Sequence, residues 1–193
     1  MEAAIKTRKH LLVSNDLSKT DILFILEKAN SYSQKSTYPK IYENKVVANL
    51  FFENSTRTRF SFEIAEKKLG ADVINFIAES SSLAKGETLE DTLKTLKAIG
   101  VDVAVVRHSD DHLLQSLRTR TELSLINAGA GKKEHPTQGL LDLLTIKQEF
   151  ASIDGLKIAI VGDIKYSRVA GSLIGLTQCF DTKLFLCGPE SVV

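Results

Sequence analysis

The chain has 193 residues, of which 43% are hydrophobic and 25% are charged, a composition typical of a folded globular protein. Its 25 Lys and Arg residues balance 24 Asp and Glu residues, which argues against nucleic acid or an anionic membrane surface as a partner. Residues 1–10 lack the apolar core of a signal peptide, no apolar run could span a membrane, and two cysteines are too few for a disulfide framework. We therefore expect a cytoplasmic protein in which both cysteines are reduced core residues.

The predicted elements alternate between helices and strands along the chain. Residues 18–32 form the first helix, because Ser18 and Asp21 have the spacing of a capping pair. Strands and helices then alternate at 46–52, 56–69, 72–77, 88–99, 102–107, 111–118, 123–127 and 137–150. Gly70 and Gly100 follow two of these helices, at the position where a residue in left-handed conformation commonly ends a helix. This order predicts an α/β fold with a doubly wound parallel sheet flanked by helices.

A change of composition at 151–155 marks the start of a second unit. A strand, a helix and a strand follow, at 157–161, around 168–178 and at 183–187. Two strands and one helix bury their own faces poorly, so we expect this unit to be incomplete. We predict a complete N-terminal domain, an interdomain helix and the start of a second, similar domain, at 1–134, 135–150 and 151–193.

The most informative motif is the Ser-Thr-Arg-Thr-Arg run at 55–59, directly after an apolar strand. The start of a helix presents unpaired backbone N–H groups and the positive end of its dipole. Hydroxyl and guanidinium groups at that point complete a site for a phosphate. Arg107 ends another strand, and the carboxyl ends of parallel strands share one crevice. The motif therefore predicts a site for a small phosphorylated compound, with a capped helix and solvated arginines as the alternative.

A second motif, His-Pro-Thr-Gln at 135–138, has the same placement before a helix. Pro136 suits the first helical position and keeps His135 out of the helical conformation, so the imidazole faces whatever lies in front of the helix. A neutral imidazole can donate to a carbonyl oxygen, and the amide of Gln138, on the same face, can accept from an amide. A purely structural His at a helix cap is the alternative interpretation.

Two further segments carry weaker signals. The loop at 80–87 holds three serines and Lys85, and on its residues alone a solvated loop is the better interpretation. Arg168 follows the strand at 157–161 and is placed to bind an anionic second substrate. The chain has no dinucleotide or Walker motif, no metal-ligand spacing and no Ser-His-Asp pattern. This favours chemistry by positioning and charge, without a cofactor or a metal.

These motifs resemble those of the carbamoyltransferase family, over roughly residues 11–189. The runs at 55–59 and 135–138 resemble signatures that aspartate and ornithine carbamoyltransferases share, so they indicate the reaction and not the amino acid. The segments at 82–89 and 161–169 resemble the aspartate branch. The resemblance implies transfer of the carbamoyl group of carbamoyl phosphate to L-aspartate, an early step of pyrimidine synthesis, in a homotrimer with active sites between subunits. Ornithine carbamoyltransferase, and a non-catalytic fragment that binds carbamoyl phosphate and contacts other subunits, are the alternatives.

The resemblance also implies roles for individual side chains. Four residues hold the phosphate of carbamoyl phosphate: Ser55, Thr56, Arg57 and Thr58. Arg57 stabilises the phosphate as it leaves. Three side chains polarise the carbonyl oxygen: Thr58, Arg107 and His135. Gln138 holds the carbamoyl amide.

The resemblance places the aspartate contacts less completely. Lys85 and one serine of its loop, Ser81 or Ser82, reach the active site of a neighbouring subunit, and Lys85 and Arg168 bind aspartate. The family's chains continue through a complete second domain that supplies further aspartate contacts, so we expect this chain to be inactive alone. Whether a regulatory chain or a dihydroorotase binds is left open by the sequence.

Overall fold

The computed structural model describes residues 9–77 and 87–193. The helices of this part are α1 (Lys19–Ser33), α2 (Thr56–Leu69), α3 (Leu89–Ala98), α4 (Leu113–Ser116), α5 (Pro136–Phe150) and α6 (Arg168–Thr177). The strands are β1 (Val46–Phe51), β2 (Asp72–Ile77), β3 (Val103–His108), β4 (Ser124–Ala130), β5 (Lys157–Val161) and β6 (Lys183–Cys187). Short 3-10 turns lie at Ser14–Asp16 and Glu190–Val192.

The first four strands form one parallel sheet in the order β2-β1-β3-β4, and β5 pairs in parallel with β6. In the larger sheet Val47 of β1 lies beside Val73 on one side and Val103 on the other. The chain leaves β1 to one side for β2 and returns on the other side for β3. The topological switch point, where open α/β sheets bind ligands, therefore lies between the carboxyl ends of β1 and β3.

Apolar side chains cover both faces of the larger sheet. Ala48 and Leu50 of β1 belong to a buried cluster that includes Leu93 of α3. Val47, which points to the other face, belongs to a second cluster against which Phe62 of α2 packs. Helices on opposite faces of a parallel sheet confirm the predicted doubly wound α/β fold.

A third buried cluster joins α1, α5 and α6. Ile22 and Leu26 of α1 pack with Leu143 of α5 and Leu176 of α6. The amino-terminal helix thus contacts both the helix predicted to lie between domains and the first helix of the second unit. The domain boundaries stay predictions, at 134/135 and 150/151.

Local capping signals act as the sequence predicts. The Ser18 hydroxyl accepts from the backbone N–H of Asp21, and the Asp21 carboxylate accepts from the backbone N–H of Ser18. Gly70 and Gly100 end α2 and the turn after α3 with φ of +92° and +100°, in the left-handed region. These contacts involve residues close in sequence, so the sequence alone was enough to predict them.

The helix predicted at 111–118 is a single turn, α4. The carboxylate of Asp110 accepts from the backbone N–H groups of His112 and Leu113, so it caps a later start. The carboxylate of Asp111 accepts from two backbone N–H groups beyond β4, which holds this residue out of the helix. A tertiary contact therefore overrides the helical pattern at its first residues.

Two further expectations need correction. Strand β4 continues to Ala130, beyond the predicted end at 127, and its last residues precede the segment that leads to α5. Cys187 is exposed on β6 and Cys179 is half-buried, so the prediction that both are core residues is wrong. Within the described residues no helix is both long and apolar enough to cross a membrane.

Candidate active site

A cleft of about 910 Å³ opens at the switch point between β1 and β3. The first turns of α2, α5 and α6 contribute to its walls. Its lining includes every predicted site residue within the described part of the chain: Ser55, Thr56, Arg57, Thr58, Arg107, His135, Gln138 and Arg168. The three predicted loop residues, Ser81, Ser82 and Lys85, lie outside the described residues.

The amino-terminal turn of α2 carries groups that suit the binding of an anion. Ser55 is the N-cap, with an extended backbone, and within the described part of the chain its hydroxyl makes no capping hydrogen bond. The first turn contains no acidic residue that would neutralise the helix dipole. Hydroxyls, the exposed guanidinium of Arg57 and unpaired N–H groups thus stand together at one helix end. This is the composition of a phosphate site.

Glu53 bridges two arginines of the cleft. Its Oε2 atom lies 3.3 Å from Nε of Arg107 and accepts from Nη1 of Arg168 at 3.1 Å. Glu53 was not predicted as a site residue, although its position two residues after β1, at the edge that holds Ser55, was a usable signal. The bridge ties α6 to the larger sheet and holds both guanidinium groups at the cleft.

Arg107 is 9% exposed, and the geometry of its Nε contact with Glu53 is that of an ion pair and not of a hydrogen bond. Burial, and then repulsion by Arg168, lower the pKa of its guanidinium, and Glu53 opposes the change. The group stays charged, because the pKa of arginine starts far above neutral pH. A buried guanidinium at the wall of the cleft is suited to a developing negative charge.

Gly129 makes room for the two arginines. Its φ is +118°, and an added Cβ would lie 3.4 Å from Nη1 of Arg107 and from Cζ of Arg168. A side chain at this position would have to adopt a left-handed backbone conformation, and its Cβ would be in van der Waals contact with both guanidinium groups. Arg168 also donates to the carbonyl oxygen of Gly131 at 2.9 Å. Nη1 of Arg168 is thus engaged with both Glu53 and Gly131.

His135 is the N-cap of α5 and is 7% exposed. Its φ of −146° and ψ of 70° lie outside the helical region, as the following proline predicts. Burial, and then the charges of Arg168 and Arg107, lower the pKa of the imidazole to about 4. The side chain is therefore neutral near neutral pH, with one N–H to donate and one nitrogen to accept.

The backbone of His135 is fixed by a buried network that the sequence did not predict. Its N–H donates to Oγ of Ser172 at 2.8 Å, and that hydroxyl donates to Oε2 of Glu134 at 2.7 Å. The same carboxylate oxygen accepts from the N–H and the hydroxyl of Ser14. Since Ser14 and Ser172 are fully buried, this network locks the start of α5 against α6 and the amino-terminal turn.

Other lining residues complete the walls: Asn54, Ser61, Phe62, Ala65, Thr137, Leu141 and Val169. No group of three or more metal-ligating side chains occurs among residues 9–77 and 87–193. The cleft therefore combines a helix start, fixed cations, a neutral imidazole and an amide. Such a set can hold a phosphate and stabilise charge that develops on a neighbouring carbonyl oxygen.

The fold and the cleft define an α/β domain whose switch-point cleft has the groups that suit a phosphorylated ligand. The family profile described as "Aspartate/ornithine carbamoyltransferase, carbamoyl-P binding domain" matches residues 9–148. The chain belongs to this family, and the resemblance that its motifs predict is confirmed.

Solved structures of aspartate transcarbamoylase from Trypanosoma cruzi are similar to this chain. The complex with carbamoyl phosphate and aspartate has a TM-score of 0.92 and 37% identity, and covers 98% of this chain and 61% of that one. The complex with carbamoyl aspartate and phosphate has a TM-score of 0.90 and 38% identity, over 95% of this chain and 61% of the other. This chain thus spans 61% of the length of these solved chains.

Proposed function

We propose that this protein takes part in the transfer of a carbamoyl group from carbamoyl phosphate to the amine of L-aspartate, giving N-carbamoyl-L-aspartate and phosphate. The observation that carries the proposal is the meeting of the α2 start, buried Arg107 and neutral His135 in one cleft. The likeness to Trypanosoma cruzi aspartate transcarbamoylase bound to both substrates supports it. Pyrimidine synthesis is the pathway that this reaction serves.

The phosphate binds at the start of α2. Its oxygens accept from unpaired backbone N–H groups and from the hydroxyls of Ser55, Thr56 and Thr58. The guanidinium group of Arg57 donates to them as well. Charge increases on the phosphate as its bond to the carbonyl carbon breaks. The side chain of Arg57 is exposed, and it makes its strongest interaction with the phosphate as the phosphate becomes the leaving group.

The carbonyl oxygen of the carbamoyl group is the second place where charge develops. The aspartate amine attacks the carbonyl carbon, and negative charge appears on the oxygen. The C=O bond then re-forms as the bond from carbon to the phosphate oxygen breaks, and the proton of the amine leaves with the phosphate. The carbonyl oxygen accepts hydrogen bonds from three side chains of the cleft, those of Thr58, Arg107 and His135. Because His135 is neutral, its N–H stabilises the oxygen without adding charge that would attract the phosphate away from α2.

The remaining contacts complete the proposal. Gln138 accepts from the carbamoyl amide, and Arg168 binds a carboxylate of aspartate once the cleft fills. Lys85 and Ser81 or Ser82, which lie outside the described residues, enter the site of a neighbouring copy in a homotrimer.

We place the protein in the cytoplasm. Sedimentation of the chain with and without ligand tests the trimer, and a monomer under both conditions would refute it.

Calorimetric titration of carbamoyl phosphate into the chain tests the phosphate site. Arg57→Ala should weaken binding roughly 10- to 100-fold, since it removes a charged hydrogen-bond partner. Arg59→Ala is the matched control, because Arg59 lies on the same helix with its guanidinium 5.1 Å from the Phe60 ring and does not line the cleft. Equal affinities of both variants would refute the assignment. Turnover of ornithine and not of aspartate by a version with a complete second domain would refute the choice of second substrate.

A further inference from the structure

Gln138 and Asp142 form a pair one helical turn apart on α5. Nε2 of Gln138 donates to Oδ1 of Asp142 at 3.0 Å. Gln138 lines the cleft, whereas Asp142 is half-buried behind it and is absent from the lining. His135 lies three residues before Gln138, so the three polar side chains follow one face of the helix away from the cleft.

The carboxylate decides which way the Gln138 amide points. An amide presents an oxygen that accepts and an NH₂ that donates, and the two ends differ little in shape. An ionised carboxylate only accepts, so it attracts the NH₂ end and repels the oxygen. One N–H of Nε2 is donated to Asp142, so Gln138 keeps Oε1 as its acceptor, beside the second N–H of Nε2.

A surface helix pair does not account for this arrangement. Gln-to-Asp hydrogen bonds at this spacing stabilise an isolated helix only slightly. Asp142 is instead half-buried, and burial raises the pKa of its carboxyl while the Gln138 hydrogen bond opposes the rise. The geometric observation is that the hydrogen-bond partner of this half-buried carboxylate is a side chain that lines the cleft.

We propose that Asp142 is a positioning residue that fixes Oε1 of Gln138 toward the carbamoyl group, so that the cleft selects a ligand with an N–H donor over an acyl phosphate of the same shape. The inference rests on the proposed function and deepens it. A carbamoyl NH₂ satisfies the fixed acceptor, whereas the methyl group of acetyl phosphate leaves it unpaired. Gln138 lines the cleft, so a ligand that displaces water from its Oε1 without offering a donor leaves this acceptor unpaired, which costs binding free energy.

Replacing Asp142 by Asn tests this, because an asparagine side chain donates or accepts and lets the Gln138 amide turn. Calorimetry should give the wild-type chain a preference for carbamoyl phosphate over acetyl phosphate of roughly 10-fold. In Asp142→Asn the preference should fall toward one, while the affinity for inorganic phosphate stays unchanged. Gln138→Ala should remove the same preference, and combining both substitutions should remove no more.

The controls separate the outcomes. Asp142→Glu keeps a carboxylate that can reach Gln138 and should restore part of the preference, whereas the exposed-site change Asp181→Asn should keep all of it. A folded Asp142→Asn with the wild-type preference overturns the inference. If that variant fails to fold, Asp142→Ser carries the same test. A wild-type chain that binds neither carbamoyl phosphate nor inorganic phosphate overturns the proposed function itself.

Discussion

Replacing His135 by Asn should change how the stability of the protein depends on pH. The folded protein holds the imidazole pKa at about 4, below its ordinary value of 6.5, first through burial and then through Arg168 and Arg107. As pH falls below 6.5, the unfolded chain takes up the proton before the folded protein does. Stability from the neutral imidazole is therefore lost as pH falls from 6.5 toward about 4.

The size of the effect follows from the pKa shift. For a fully enclosed group, a shift of this size removes about 2 kcal/mol between about pH 7 and about pH 5. The imidazole lines an open cleft, so water reduces the penalty on the charged form, and we expect about 1 kcal/mol. Asparagine suits the N-cap position and has no charge to gain, so the Asn variant should lack this loss.

Urea unfolding at the two pH values measures the difference directly. His112→Asn is the control, since His112 is exposed, and it should lose as much stability as the wild-type chain. Titration of the imidazole C–H resonance of His135 by NMR gives the pKa independently. A midpoint near the ordinary value, or equal losses in the wild-type chain and in His135→Asn, would refute the account of a neutral, desolvated imidazole.

Three further changes test other parts of the structure. Glu53→Gln removes the charge that holds two arginines, so affinity for inorganic phosphate should rise roughly 3- to 10-fold by calorimetry, and an unchanged affinity contradicts this. The carboxylate of Glu66 accepts from Asn49, and burial raises the pKa of this carboxyl above its ordinary value of 4.5. Stability should therefore fall as pH rises above 4.5 through the raised pKa, and Glu66→Gln should abolish this fall in urea unfolding. Gly139→Ala places a Cβ 2.8 Å from fully buried Leu176, so the free energy of unfolding should drop by about 1–2 kcal/mol despite the better helix propensity, and no drop would mean that the helices can shift apart.

Much of the fold was predictable from short stretches of sequence. The bounds predicted for α2 and β2 agree with the structure, because each of these elements is bounded by a cap, a glycine or a change of hydrophobic period within a few residues. The helix expected at 111–118 was wrong because Asp111 is held by backbone groups some twenty residues later. Periodicity reports which face of an element is apolar, and it carries no information on such a contact.

Part of the site was predictable for a general reason. Parallel strands bring their carboxyl ends to one edge, so Ser55 after β1 and Arg107 at the end of β3 had to lie near each other once the sheet order was set. Pro136 fixed the backbone of His135 in the same local way. The roles of these residues in binding and chemistry stay predictions until ligand titrations are made.

The sequence by itself determined the elements, their alternation, the two helix starts that carry the motifs and the family to which the chain belongs. Only the tertiary structure decided that Glu53 holds Arg107 and Arg168 together and that Ser172 fixes His135. The reason is distance along the chain: caps and hydrophobic periods act between near neighbours, whereas these contacts form only when α6 packs against α5 and the larger sheet. Burial of His135, and with it the neutral charge state of the imidazole, follows from that same packing.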